Sequence, residues 1–264
     1  MHCMGYDEQL EIDIKRDYKV VKSNAIIQKA RYDLNLQELK IMSYCFSMIK
    51  PNDTIEQEYV FSILDYCKVC GIDYKNGWHY KEVKSTLKGL RDKSFWITNP
   101  DGSETTVGWL GKVTINRGSG KIKIKFDEDM QQYIMGLFEN FTQYELLSTL
   151  PMRSQYSFRI YELLKSYAWT KKHTFDIEEM KRQLAAEHYI NFKDFRKKVI
   201  EIAVKEINDY TDLAISYEPI KKGTKVIQIT FYIKQKDMWG RYASYGRAKN
   251  RLDGQMTIGE YLNE

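Results

Sequence analysis

The chain has 264 residues, 43% of them hydrophobic and 29% charged, which is typical of one or two globular domains. Its 4 prolines and 15 glycines are too few for collagen-like, proline-rich or low-complexity disordered chains. No run approaches the roughly 18 apolar residues of a membrane span, and residues 1–22 lack a signal-peptide core. We therefore expect a cytoplasmic protein without membrane contact.

Positive charge is concentrated in the second half of the chain. Residues 1–150 carry 20 Lys and Arg against 21 Asp and Glu, whereas residues 151–250 carry 20 against 12. The last 14 residues carry 1 against 3. This distribution favours a polyanionic partner for residues 151–250, although a merely solvated basic surface is the alternative.

The first predicted unit consists of three helices followed by strands. Its first helix has apolar residues at helical spacing, and the segment 59–63 is typical of a short strand leading into a helix capped by Ser62. A further helix follows at 80–92. Strands are predicted at 94–98, 105–115 and 121–126, with turns at 99–102 and 117–120.

Residues 127–151 form the predicted connector. The segment 130–138 has a helical pattern, and Pro151 marks the beginning of the next unit. No Gly/Ser-rich linker is present, so we expect the two units to pack closely or to be joined by a helix.

The second predicted unit repeats the order of the first. Segments 80–84 and 192–196 match in residue class at every position, 112 residues apart, and 173–177 resembles 59–63, with Asp176 as the helix cap. After the helix 192–209, a strand at 213–217 is predicted to pair with 226–233 across a turn at 219–223.

Three helices closed by a β-hairpin describe a winged helix. We therefore predict an α+β protein with two tandem winged-helix modules related by an internal repeat. The predicted bounds are 18–142 for the first module, 143–236 for the second and 237–264 for a C-terminal tail. A coincidental pseudo-repeat in an unrelated α+β protein is the alternative.

Patterns typical of catalysis and metal binding are incomplete. Cys67 and Cys70 form a C-x-x-C pair without further ligands at metal-site spacing. The segment 118–121 imitates the end of a P-loop but lacks its upstream Gly and following Ser or Thr, and no two His are two residues apart. Acidic pairs fall at predicted helix starts, where the helix dipole favours them. We predict a binding protein, not an enzyme, without cofactor or metal.

The helix 192–209 is the best candidate for contact with DNA bases. Helical periodicity puts Phe195, Val199, Ile202 and Glu206 on one face, with Val204 opposite and Ile200 at the flank. The outward basic residues of its first turns and the lysines of the following hairpin are the predicted DNA contacts, namely Lys193, Arg196, Lys197, Lys198, Lys221, Lys222 and Lys225. The alternative is an ordinary solvated helix.

Weaker DNA contacts are predicted elsewhere. Arg159 lies near a helix start capped by Ser154 and suits a phosphate, although an ion pair with Glu162 is the alternative. The corresponding first-module residues either contact phosphates or serve association between protomers, and they are Lys81, Lys84, Ser85, Lys88, Lys112, Arg117 and Lys121.

Three separated motifs resemble a known family. These are 22–40 (KSNAIIQKARYDLNLQELK), 154–164 (SQYSFRIYELL) and 194–208 (DFRKKVIEIAVKEIN), the last followed by hairpin segments at 215–218 and 223–233. Together they resemble the iteron-type plasmid replication initiators, the Rep_3 or RepB-like family, over residues 20–236.

The resemblance implies binding of double-stranded origin iterons led by the second module, opening of adjacent AT-rich DNA, and recruitment of the host replicative helicase and host initiator. It also implies monomers that start replication and dimers, formed through the first module, that bind an operator and repress the initiator gene. It places the recognition helix on Lys193, Arg196, Lys197 and Lys198 and the basic wing on Lys221, Lys222 and Lys225.

This sequence departs from the family pattern in the length of the first wing and at Thr224-Lys225, where Arg is frequent. Residues 238–264 lie outside the match and suggest either a basic-aromatic DNA arm or a disordered tail. A tandem winged-helix repressor without a replication role is the alternative function, and a winged-helix scaffold that never touches DNA is a third interpretation.

Overall fold

The structure is a computed structural model, and it describes residues 6–54, 56–72, 78–99 and 101–254. The helices and strands of the first half are α1 (Tyr6–Arg16), β1 (Lys19–Ser23), α2 (Asn24–Gln28), α3 (Leu36–Phe46), β2 (Tyr59–Ser62), α4 (Ile63–Val69), α5 (Trp78–Asp92), β3 (Ser94–Thr98), β4 (Glu104–Gly108), β5 (Leu110–Ile115), β6 (Lys121–Phe126) and β7 (Phe141–Glu145).

The second half repeats the order helix, short strand, helix, helix and hairpin that α3 to β6 contain in the first. Its elements are α6 (Gln155–Ser166), β8 (Lys172–Asp176), α7 (Ile177–Gln183), α8 (Phe192–Phe195), a π-helical turn (Arg196–Ile200), α9 (Glu201–Tyr210), β9 (Leu213–Lys222), β10 (Lys225–Gln235) and α10 (Met238–Leu252).

Each half closes three helices with an antiparallel three-stranded sheet. The strand order is β2-β6-β5 in the first half and β8-β10-β9 in the second. The short strand before the second helix pairs with the last strand of its hairpin in both halves, which is the winged-helix arrangement. The predicted fold of two tandem winged-helix modules is confirmed. Within the described residues, no helix has the length and apolarity that crossing a bilayer requires.

Local capping explains where the second helix of each module begins. The Ser62 side chain accepts a hydrogen bond from the Asp65 amide at 2.9 Å, and Asp176 accepts from the Glu178 amide at 2.9 Å. Both side chains satisfy amides that have no partner inside the helix. The two predicted caps are therefore confirmed.

The strand predicted at 105–115 is divided into two strands that belong to different sheets. Trp109 interrupts it, is 1% exposed, and packs with its ring centroid 4.8 Å from Tyr32. Before it, β4 pairs with β3; after it, β5 pairs with β6. A Cβ at Gly111 would lie 2.9 Å from the Phe126 carbonyl oxygen, so only glycine fits the irregular start of β5. Burial of the indole divides the predicted strand.

The predicted connector helix at 130–138 is wrong. Only Glu128–Tyr133 is helical, as a 3₁₀ helix, and Gly136 and Asn140 adopt left-handed backbone angles with φ of 58° and 53°. These angles end helical geometry and turn the chain into β7, which pairs along its whole length with β1. The predicted boundary between residues 142 and 143 falls inside this strand.

The second wing is longer than predicted. Segment 219–222 belongs to β9, and the turn contains only Gly223, with φ of 62°, and Thr224. Pro219 is tolerated in β9 because this strand lies at the edge of its sheet. The outer side of the strand has no neighbouring strand to which a backbone amide would have to donate. The lysines of the wing are therefore held on strand ends and not on a loose loop.

The two modules share a buried polar cluster, which agrees with the expectation that they pack closely. Glu162 on α6 is 0% exposed and pairs with the Lys22 ammonium on β1, and the Tyr144 hydroxyl donates to it at 2.7 Å. Arg159 lies 3.2 Å from the second Glu162 oxygen. Burial alone would raise the pKa of Glu162, but the two cations hold it below its ordinary value. We call these four residues the interface cluster.

The segment after the second module is an ordered helix up to Leu252. The Asp237 side chain caps α10 by accepting from the Gly240 amide at 2.7 Å, and Ser244, Ala248 and Leu252 are buried on one face. The disordered-tail interpretation is therefore wrong for 238–252. Arg247 donates to the Asp209 carbonyl at 3.0 Å, which ties α10 to α9. Residues 255–264 lie outside the described part.

His173 makes the stability of the second module sensitive to pH. Its ring stacks on Tyr167 at a centroid distance of 3.7 Å, and burial lowers its pKa. In the unfolded chain the imidazole keeps an ordinary pKa near 6.5, so acidification protonates the unfolded state first. We expect the free energy of unfolding to fall from about pH 7 to pH 5, and to fall less in His173→Phe. Urea titrations of both proteins across this range check the expectation; parallel pH profiles would contradict it.

Candidate nucleic-acid interface

The third helix of the second module is continuous but not uniform. It comprises α8, the π turn and α9, and we call residues 192–210 the recognition helix. Asn191 caps it by accepting from the Asp194 amide at 2.8 Å. In the π turn the Glu201 amide donates to the Arg196 carbonyl, five residues back, so this turn contains one residue more than an α-helical turn.

The π turn changes which residues face the core. Phe195 and Val199 are fully buried and Glu206 is 9% exposed, as predicted, but Ile202 is 41% exposed. Ile200, predicted at the flank, is completely buried instead. One extra residue rotates the positions that follow it by about 100°, so the single 3.6-residue period used in the prediction fails at Ile200 and Ile202.

The first turns of the recognition helix carry the predicted cations outward. Lys193, Lys197 and Lys198 are exposed. Arg196 is half-buried, and its Nε lies 3.3 Å from Glu201 Oε1 without meeting hydrogen-bond geometry. Ile202 and Lys205 also face outward after the π turn, and periodicity alone missed both positions.

A cleft of about 570 Å³ separates the recognition helix from the wing. Glu178 is its acidic member and is paired with Lys181 at 3.2 Å. Lys222 sits opposite Lys225 at the exposed end of the hairpin, beside the cleft. The cations that line the cleft are Lys181, Lys193, Arg196, Lys221 and Lys225. Six of the seven main predicted contacts thus lie on the recognition helix or at the end of the wing with exposed side chains. The seventh, Arg196, lies on the same helix, and its side chain is partly shielded from solvent.

The first module has a similar cleft of about 460 Å³ between α5 and β5. Its lining brings together Lys84, Lys88 and Lys112, three of the predicted residues, and adds Arg91, which the sequence analysis missed. Arg91 follows Lys88 by three residues and Lys84 by seven, a spacing that places all three on one helix face. Lys88 is partly neutralised because it pairs with Asp92.

The remaining first-module candidates are exposed and do not belong to the lining of this cleft. Lys81 and Ser85 are on α5, and Lys121 begins β6. Arg117 lies in the β5–β6 turn, which Asn116 organises by accepting from the Gly118 and Ser119 amides at 3.0 Å. The arrangement leaves these side chains free to reach phosphates beside a duplex.

Arg159 is a correction to the predicted contacts. Its side chain is not at the surface but 3% exposed between the modules. The guanidinium lies 3.9 Å from the Tyr32 ring centroid and pairs with Glu162. The alternative interpretation, an ion pair within α6, describes its position. A buried guanidinium is stabilised when a carboxylate and an aromatic face replace the solvent that it has lost.

The cysteines of the described ranges belong to the core. Cys45, Cys67 and Cys70 are buried free thiols, and burial raises the pKa of Cys67 to about 11 and that of Cys70 to about 12. Thiols held in the protonated form are poor metal ligands. In the described ranges, no group of three or more His, Cys, Asp or Glu side chains is placed to hold a metal ion.

Known proteins share both modules. The family model described as "Initiator Replication protein, WH1" matches residues 19–165, and "Initiator Rep protein, WH2" matches residues 176–233. A replication initiation protein of Escherichia coli is 27% identical over 217 residues, which cover 78% of this chain and 66% of that protein. The chain thus spans just under two thirds of that relative.

An uncharacterized 27.6 kDa protein of Escherichia coli is 22% identical over 221 residues, covering 77% of this chain and 90% of that protein. The crystal structure of the Pi initiator protein in complex with iteron DNA superposes with a TM-score of 0.69 at 19% identity, covering 84% of this chain and 99% of that one. Family models that together span most of both winged helices show that this chain belongs to the initiator replication protein family.

Proposed function

We propose that the protein is a plasmid replication initiator that binds iteron repeats at the origin through its second winged helix. The observation that carries this proposal is the cation-lined cleft between the recognition helix and the wing. A helix inserted in the major groove presents Lys193, Arg196 and Lys197 to the bases, while the wing lysines meet the flanking phosphates. The Pi initiator, which shares this fold, is bound to iteron DNA in its crystal structure.

The first module supplies auxiliary phosphate contacts in this proposal. Like the cleft of the second module, its cleft is lined by cations, one of which is already paired with a carboxylate. Contacts of this kind position a protein on a duplex without reading its sequence. Two modules with a buried shared cluster would hold a fixed spacing along the DNA.

The further steps of initiation belong to the proposal as well. Binding to adjacent iterons in the cytoplasm would open neighbouring AT-rich DNA by binding energy, without hydrolysis and without a cofactor, and bring in the host helicase and host initiator. Dimers would occupy an operator and repress the initiator gene. A repressor without a replication role is the competing function, and it would bind an inverted repeat alone.

A footprinting titration on the DNA that flanks the gene separates these functions. We expect protection at direct repeats spaced by about two helical turns, surviving moderate salt, next to an AT-rich tract. Protection of a single palindrome would support the repressor instead. Equal binding to a scrambled duplex, lost steeply with salt, would reduce the activity to charge attraction.

Arg196→Ala tests base reading within the footprint. Because Arg196 projects from the first turns of the recognition helix, its loss should relax discrimination at one base pair by about 1–3 kcal/mol. Competition titrations with duplexes changed at single positions measure this effect. An equal loss of affinity for every duplex would show that Arg196 contacts a phosphate.

A further inference from the structure

Ile202 is an apolar side chain displayed on the outward face of the recognition helix. It is 41% exposed, and the residues one turn before and after it, Lys198 and Lys205, are exposed lysines. Glu201, the adjacent residue, is also exposed. A β-branched side chain left in water supports neither helix propensity nor the core. Its position between two exposed lysines leaves it available for a contact outside the chain.

The π turn is the reason that Ile202 faces outward. A regular helix would align it with Phe195 and Val199, which are completely buried. The extra residue places Ile200 and Ala203 in the core instead and rotates Ile202 towards the face that carries the lysines. Single π turns inside α-helices are frequent at functional sites.

We propose that Ile202 contacts the C5 methyl group of a thymine in the major groove, an inference that rests on the proposed binding of duplex DNA by the recognition helix. The thymine methyl is the one apolar group that the major-groove edges of the four standard bases display. Lys198 and Lys205 flank Ile202 along the helix and are placed to meet phosphates, so the apolar side chain between them faces the bases. Ile202 is a specificity-determining residue in this arrangement.

The test uses uracil, which differs from thymine only by the missing methyl group and pairs with adenine in the same way. Duplexes that the full chain selects from random sequence supply the binding site. Each thymine of the site is then replaced singly by uracil, and affinities are measured for the unsubstituted protein and for Ile202→Ala. Since burying one methyl group contributes about 0.8 kcal/mol, we expect one position where uracil weakens binding about fourfold.

Ile202→Ala should bind the thymine and uracil duplexes equally at that position. Ile14→Ala is the matched control, because Ile14 is an exposed isoleucine on a helix, α1, is 50% exposed and lines neither cleft. This control should keep the fourfold preference for thymine, and Ile202→Val should keep part of it. Thermal melting close to that of the unsubstituted protein would show that each variant is folded.

Two results would overturn the inference while leaving duplex binding intact. One is indifference of the unsubstituted protein to uracil at every position, and the other is a thymine preference that persists in Ile202→Ala. Failure to select any duplex would remove the proposed function itself, and this inference with it.

Discussion

Glu162→Ala should lower the free energy of unfolding by about 3–5 kcal/mol. The substitution leaves Lys22 and Arg159 buried between the modules without their shared carboxylate, and it removes the acceptor of the Tyr144 hydroxyl. An uncompensated buried charge costs far more than an exposed ion pair contributes. Urea denaturation followed by circular dichroism at neutral pH measures the change.

The matched control is Glu179→Ala, which breaks an ion pair with Arg182 on the surface of α7. The two side chains are 46% and 56% exposed, so the expected loss is below about 1 kcal/mol. A similar small loss for Glu162→Ala would mean that water reaches the interface cluster. Stability that depends on Glu162 would instead show that one buried carboxylate joins both modules.

Replacing Lys221, Lys222 and Lys225 together by Gln should weaken binding to the selected duplex about 100-fold at about 0.15 M salt. Each lysine that neutralises a phosphate releases condensed counterions, so the slope of log affinity against log salt should become shallower by about 0.9 per lost contact. All three side chains are exposed at the end of the wing. Fluorescence anisotropy titrations at several salt concentrations give both quantities.

The control set consists of Lys171, Lys172 and Lys234. Replacing these three lysines by Gln removes the same net charge from the same module. Lys172 pairs in register with Tyr232, at the end of the sheet opposite the wing turn. With about 3.3 Å per residue, the strand from Lys225 to Lys234 separates the two sets by about 30 Å. Equal losses of affinity from both triple variants would show that net charge matters and the wing does not.

The module plan could be predicted from the sequence because it depends on local signals. Ser62 and Asp176 cap helices through contacts with residues two or three positions away, and the spacing of apolar residues marks the helices that follow. The same pattern occurs twice, which revealed the tandem arrangement. The exposed lysines at the wing end could be located for the same reason, since a turn between two strands is a local feature.

Non-local packing decided the rest. The pairing of β1 with β7 joins residues more than 100 positions apart. Because the connector must lead into β7, it does not form the predicted helix. The ion pair of Arg159 with Glu162 is local, but only the distant residue Tyr32 shows that Arg159 is enclosed between the modules. Such contacts follow no periodicity along the chain.

The recognition helix shows both contributions in one element. Composition and helical periodicity along the chain determined that a helix begins after Asn191 with Lys193 and Lys197 on its outer face. Only the tertiary structure decided the orientation of the residues beyond Val199, because the core accommodates Ile200 and Ala203 at the π turn and leaves Ile202 outside. The physical reason is that burial of apolar side chains against the rest of the module outweighs the regular hydrogen-bond spacing of the helix.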